Sequence, residues 1–157
     1  MKITLLQIDK TDVPWVAEGF EVYEKRLKHY IPFTVQTIVF PKANRNKSFE
    51  QQKKEEAVLL LKELEKFDHI ILLDEKGKSY SSQKFSEQLN KLSISGKKHI
   101  AFVIGGPYGF DESVYAKAND KLSLSEMTFS HQMIRVLFAE QLYRAFSILK
   151  GEKYHHE

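Results

Sequence analysis

The stretch "FVIGGPYGF", residues 102 to 110, breaks an apolar run with three glycines and a proline within five residues. Glycines at such a break let a ligand approach the backbone, because no Cβ stands in the way. The spacing matches neither G-x-G-x-x-G nor G-x-x-x-x-G-K-[ST], and both of those motifs follow an early strand, so the common dinucleotide and nucleoside triphosphate folds are disfavoured. Pro107 removes a backbone N–H where a phosphate cradle needs one. A neutral ligand part, such as a base or a ribose, suits the loop better. The plain alternative is a tight strand-to-helix turn that needs glycine only for its φ angles. Downstream, "LSLSEMTFSHQMIRVLFAEQLYRAF" (122 to 146) carries His131, Arg135 and Arg144, and "YHHE" closes the chain with Tyr154, His155 and His156. Histidine as a residue type suits proton transfer near neutral pH, and arginine suits phosphate. For His131 the alternative is a helix cap. For Arg144 it is a surface ion pair with Glu140, four residues earlier.

Hydrophobic periodicity supplies the elements that hold these groups. "ITLLQI" (3 to 8), "HIILLD" (69 to 74) and "HIAFVIG" (99 to 105) are nearly continuous apolar runs, the pattern of central parallel strands covered on both faces. "FTVQTIVF" (33 to 40) reads as a fourth strand and "KLSLS" (121 to 125) as a weaker fifth. Between them lie helices. One has Asp12 as its cap and Pro14 in its first turn, one has Ser48 and Gln51 in a capping pattern, one starts near Ser82, and a short one follows Asp111. The last runs from about His131 to Lys150 and stops at Gly151. The alternation defines an α/β protein with a mainly parallel sheet flanked by helices, expected as a single domain over residues 1 to 157. The last helix is apolar around much of its circumference, through Ile134, Leu137, Phe138, Leu142, Ala145, Phe146 and Leu149 together with Val136, Ala139 and Tyr143. Such a helix is buried on two sides. A homodimer built on it is expected, and a helix central in its own protomer is the alternative.

Composition bounds the function. The 157 residues are 42% apolar and 29% charged, as in an ordinary soluble protein, and no segment approaches the roughly 18 apolar residues of a membrane helix. "MKITLLQIDKTD" reads as a strand and not as a signal peptide, and no cysteine is present. A cytoplasmic protein without membrane or metal partners is therefore expected. The net charge of +3 permits a nucleic-acid partner without requiring one. Charge is concentrated in "KANRNKSFEQQKK" (42 to 54), where five cations face the single anion Glu50. A solvated loop and helix start is the ordinary reading of such a run.

"VIGGPYG" (103 to 109), "LSLSEMTFSHQMIRVLFAEQLYRA" (122 to 145) and the terminal "YHHE", with "MKI" and "GFEVYEKRL" (19 to 27), closely resemble the RlmH family of the SPOUT superfamily over the whole chain. The resemblance implies a homodimeric, S-adenosylmethionine-dependent methyltransferase with a C-terminal trefoil knot. Its implied substrate is N3 of a pseudouridine in the helix 69 loop of 23S ribosomal RNA in the assembled ribosome. The implied cofactor residues are Leu73, Gly105, Leu124, Ser125, Glu126, Met127, Thr128 and Phe129. Leu73 and Leu124 suit the two faces of an adenine, and backbone at Gly105 suits its edge and the ribose. Glu126 is either a partner for the sulfonium or a solvated carboxylate, and Met127 and Phe129 are either cofactor contacts or core. Substrate binding or proton removal falls to His131, Arg135, Tyr154 and His155, and RNA contact to Arg144 and His156. His156 departs from the family, where Lys or Arg is common. Gly105→Val is expected to block the cofactor and spare the fold. A rival function is a noncatalytic ribosome- or RNA-binding module of the same fold. A flavodoxin-like regulatory domain is a further alternative, though it leaves residues 122 to 157 unexplained.

Overall fold

In the computed structural model, which describes residues 1–156, all the apolar runs become strands of one five-stranded sheet. In chain order the elements are β1 (Lys2–Ile8), α1 (Pro14–Leu27), β2 (Phe33–Ile38), a 3₁₀ turn (Lys42–Asn46), α2 (Phe49–Leu64), β3 (His69–Ser79), α3 (Ser82–Ile94), β4 (His99–Ile104), α4 (Glu112–Lys117), β5 (Asp120–Ser123) and α5 (Met133–Leu149). The strand order is β2-β1-β4-β3-β5, and every neighbouring pair is parallel. The three continuous apolar runs occupy the three inner positions, where both faces must be covered. Leu5 and Phe102 face one core with Phe20, Leu89 and Phe138, while Leu6 and Val103 face the other with Leu60 and Val114. Helices α1, α3 and α5 thus cover one face of the sheet, and α2 and α4 the other.

The helix ends follow the local chemistry except at the starts of α1 and α5, whose cap residues Val13 and Gln132 make no side-chain cap. Ser48 Oγ accepts the Gln51 N–H at 3.3 Å, Asp111 caps α4 through the Ser113 N–H at 3.1 Å, and Gly151 takes φ +68° just beyond α5. Pro14 opens α1, but the residue at its cap is Val13, which makes no side-chain cap. The Asp12 N–H instead donates to Gln132 Oε1 at 3.1 Å, tying the start of α1 to the start of α5.

Strand β3 runs past its apolar core. Leu73 and Lys78 both pair with Leu122, so residues 74–77 leave the ladder and return to it. Gly77 makes the return possible: a Cβ there would stand 2.6 Å from the Lys121 carbonyl carbon and 2.7 Å from the Leu122 nitrogen. Helix α5 is buried on two sides, as its sequence requires, but the second side is its own protomer. It packs between α1 and α3 on the sheet, so its wide apolar arc does not by itself call for a second chain.

Candidate active site

The topology places a crevice before any side chain is considered. The loop after β4 leaves for α4 on one face, while those after its neighbours β1 and β3 leave for α1 and α3 on the other. Loops that part in this way open a site at the carboxyl ends of the strands. A cleft of about 450 Å³ lies there, within the usual range for a small-molecule site. It is bounded by residues 104–110, by 73–76 after the core of β3, by 122–125 and 127–129, and by His131 and Ile134 at the start of α5.

The glycine loop is both a tight turn and a wall of this cleft. Gly109 sits at φ +81°, and its N–H reaches the Gly106 carbonyl at 3.2 Å. The Gly106 N–H donates to Glu56 Oε1 at 3.0 Å, and a Cβ on Gly106 would fall 2.5 Å from Glu56 Oε2. Glu56, buried on α2, thereby fixes the loop from behind. Its burial raises the carboxyl pKa against the opposing pull of the Gly106 bond and the Arg45 charge. At Gly105 a Cβ would stand 2.9 Å from Phe110 Cε1, inside the protein's own packing. The expectation that Gly105→Val spares the fold is therefore corrected: the new side chain strikes Phe110.

Three polar groups sit opposite the loop. Asp74 accepts from the Tyr115 hydroxyl and, at 2.8 Å, from the Lys76 N–H. Burial and this carboxylate push the Tyr115 phenol pKa up, so it stays protonated and donates. Glu75 Oε2 accepts from Thr128 Oγ1 at 2.5 Å, fastening the residue 122–129 wall to the end of β3. Ser125 shapes that wall: its Oγ accepts the Met127 N–H at 2.9 Å, and its carbonyl accepts from Ser123 Oγ at 2.8 Å. Leu73, Gly105, Leu124, Ser125, Met127, Thr128 and Phe129 all line the cleft, with Ile104, Leu122 and Ile134 completing its apolar side. Met127 is 76% and Phe129 39% exposed, so neither is core. Glu126 is exposed and stands outside the lining, which instead contains the carboxylates of Asp74, Glu75 and Glu112. Asp74 was detectable as the acid that ends "HIILLD"; nothing in the sequence distinguishes Glu75 or Tyr115.

Of the residues expected to act on the substrate, only His131 reaches this cleft. Burial and the Arg135 charge lower its pKa against the opposing pull of Asp12, leaving a neutral imidazole at pH 7. Arg135 is fully buried. Its Nε donates to the His131 carbonyl at 2.9 Å, Nη1 to the Asp9 carbonyl at 3.0 Å and Thr11 Oγ1 at 2.9 Å, and Nη2 to the Ile8 carbonyl at 2.8 Å. The guanidinium ties the end of β1 to the first turn of α5. This geometry corrects the expectation of a substrate contact, since none of its surface is exposed. Tyr154, His155 and Arg144 form a separate cluster. Arg144 donates to Glu140 Oε1 through Nε at 3.1 Å and Nη2 at 2.6 Å, and lies 3.1 Å from His155 Nδ1. The Tyr154 ring lies 4.7 Å from the guanidinium carbon, and its hydroxyl donates to Glu140 at 3.0 Å. Met133 and Arg144 are eleven positions apart on α5, about 17 Å of axis, so this cluster lies well away from the cleft of the same chain. His156 is exposed beside it.

A cleft with apolar side chains on one side and mixed charges (Asp74, Glu75 and Glu112 with Lys53 and Lys76) on the other, at the carboxyl edge of a parallel sheet, defines an α/β protein with a site for a small ligand that carries both apolar and polar parts. Solved structures share the fold. A probable methylase family protein from Haemophilus influenzae aligns with a TM-score of 0.54 at 13% identity, covering 99% of this chain and 70% of that one. A probable methyltransferase from Bordetella pertussis aligns with a TM-score of 0.55 at 10% identity, covering 92% and 96%. Sequence likeness is much closer. Proteins named ribosomal RNA large subunit methyltransferase H are 52% identical in Parabacteroides distasonis and in Flavobacterium johnsoniae, over 157 residues and the whole of each chain. The family described as "Predicted SPOUT methyltransferase" matches residues 1–155. The chain belongs to the SPOUT methyltransferase family. It is therefore an enzyme of methyl transfer with S-adenosylmethionine as the donor, and a C-terminal trefoil knot is expected of its fold.

Proposed function

We propose that this chain methylates N3 of a pseudouridine in the helix 69 loop of 23S ribosomal RNA, in the cytoplasm, on the assembled ribosome. One domain spanning residues 1–157 carries the activity. The observation that carries this reading is whole-length identity of about half to proteins named ribosomal RNA large subunit methyltransferase H. S-adenosylmethionine supplies a methyl group activated by a sulfonium charge. Leu73 and Leu124 would hold its adenine, the backbone of residues 105–109 would meet its polar edge, and Asp74 and Glu75 would offset its positive charge. The N3 position carries a proton between two carbonyls, and that proton has to leave for the nitrogen to act. His131, neutral because of its burial and the Arg135 charge, accepts it. Arg135 keeps His131 and the end of β1 in register.

The enzyme works as a homodimer in which the tail of one protomer serves the cleft of the other. Two observations support this. Tyr154 and His155 are held by Glu140 and Arg144, about 10 and 17 Å along α5 from the start of the helix that borders their own cleft. On α1, Trp15 is 61% and Val22 47% exposed on the same side of the helix, an apolar face suited to a partner. In trans, Tyr154 stacks on a base while Arg144, His155 and His156 meet phosphate. The experiment compares methyl transfer to assembled ribosomes and to naked helix 69 RNA. Transfer to ribosomes only is the expected result; equal rates would show that the assembled shape plays no part.

A further inference from the structure

At the mouth of the cleft, Phe49 and Tyr108 stack on one another with centroids 4.1 Å apart and planes 22° apart, yet Phe49 is 62% and Tyr108 40% exposed. Folding does not account for this pair. Phe49 is the first residue of α2, which Ala57, Leu60 and Leu64 already anchor to the sheet, and each ring leaves its outer side to water. Tyr108 belongs to the glycine loop, and Phe49 belongs to the cationic run of residues 42–54. There Arg45 pairs with Asp9, Lys47 with Glu55, and Lys53 with Glu50 at 3.2 Å, while Lys54 is exposed. Lys53 and Tyr108 both line the cleft, and the charges of Lys54 and Lys53 reach Asp111 at the far end of the glycine loop.

We propose that Phe49 and Tyr108 form a stacking platform for an unpaired RNA base beside the target nucleotide, with Lys53 and Lys54 holding its phosphates. Exposed aromatic faces beside cations are what single-stranded RNA needs: every base has a π face, and its backbone has a charge for each nucleotide. The platform lies beside the cleft, so the strand that delivers the target base crosses it. The inference rests on the RNA methyltransferase reading above and gives the basic run a role that the cofactor site does not.

The test uses full-length protein and ribosomes lacking the helix 69 methyl. Phe49→Ala is expected to raise the KM for ribosomes about tenfold, with kcat and S-adenosylmethionine affinity unchanged and with recovery in Phe49→Trp. Lys54→Gln raises KM too and flattens its salt dependence by about one charge. Phe49→p-benzoylphenylalanine, irradiated on ribosomes, crosslinks to 23S RNA. Crosslinking to a ribosomal protein instead, or a KM unmoved by Phe49→Ala, overturns the platform. Crosslinking reads contact without needing transfer, so loss of the wild-type reaction with an RNA crosslink retained would sink the methylation reading and leave the platform standing.

Discussion

Arg135→Met asks whether the buried arginine organises the site or touches RNA. The substitution keeps an aliphatic stem and removes four hydrogen bonds, to the carbonyls of Ile8, Asp9 and His131 and to Thr11 Oγ1. Hydrogen bonds from a charged donor contribute about 1.5 to 3 kcal/mol each, but simple addition overstates the loss. Methionine also removes a cation whose burial is unfavourable enough to pull its pKa down to about 10. The net cost is about 3 kcal/mol, near the low end for breaking a buried charged network. In a chain of this length that lowers Tm by roughly 10 °C, readable by circular dichroism. S-adenosylmethionine affinity falls with it, because the end of β1 and the first turn of α5 lose their tie. An unchanged Tm with weakened ribosome binding would refute the reasoning and place the guanidinium on RNA.

Gly105→Val lowers Tm by several degrees through its collision with Phe110; a variant as stable as wild type that has merely lost the cofactor would show that the loop gives way. His131 is held below its ordinary pKa of 6.5 by burial and by Arg135, so kcat rises with pH to a half-maximum below 6.5 and stays flat above it. Between the lowered value and 6.5 the unfolded chain binds more protons, so His131's contribution to stability grows with pH there and is lost as pH falls. Both trends vanish in His131→Asn, and an acid limb that survives the substitution belongs to another group. Mixing His131→Asn with a chain lacking residues 154–157 restores about a quarter of wild-type activity, since half of the random dimers hold one complete site. No recovery on mixing would return the tail to its own protomer.

The sheet was legible because its inner strands are buried on both faces and so read as unbroken apolar runs. The end of β3 was not: residues 74–79 are mostly polar, and only Gly77, squeezed against β5, marks the return of the chain to the ladder. The glycine loop announced a site by its composition, but its anchor, Glu56, lies fifty residues earlier and reads as an ordinary helical glutamate. Arg135 shows the opposite failure. A cation beside a histidine suggests substrate, and only the course of β1 shows that its donors all point inward. For α5 the pattern reported burial on two sides correctly. It could not say whose atoms supply the second side, because a helix from the same chain and one from a partner present the same apolar surface.

The most direct measurement is transfer of labelled methyl from S-adenosylmethionine to ribosomes lacking the helix 69 modification, with mass spectrometry locating the product. Label on N3 of the loop pseudouridine, lost in His131→Asn while cofactor affinity persists, is the predicted result. Label elsewhere on the ribosomal RNA, or none while the cofactor binds, would contradict the account.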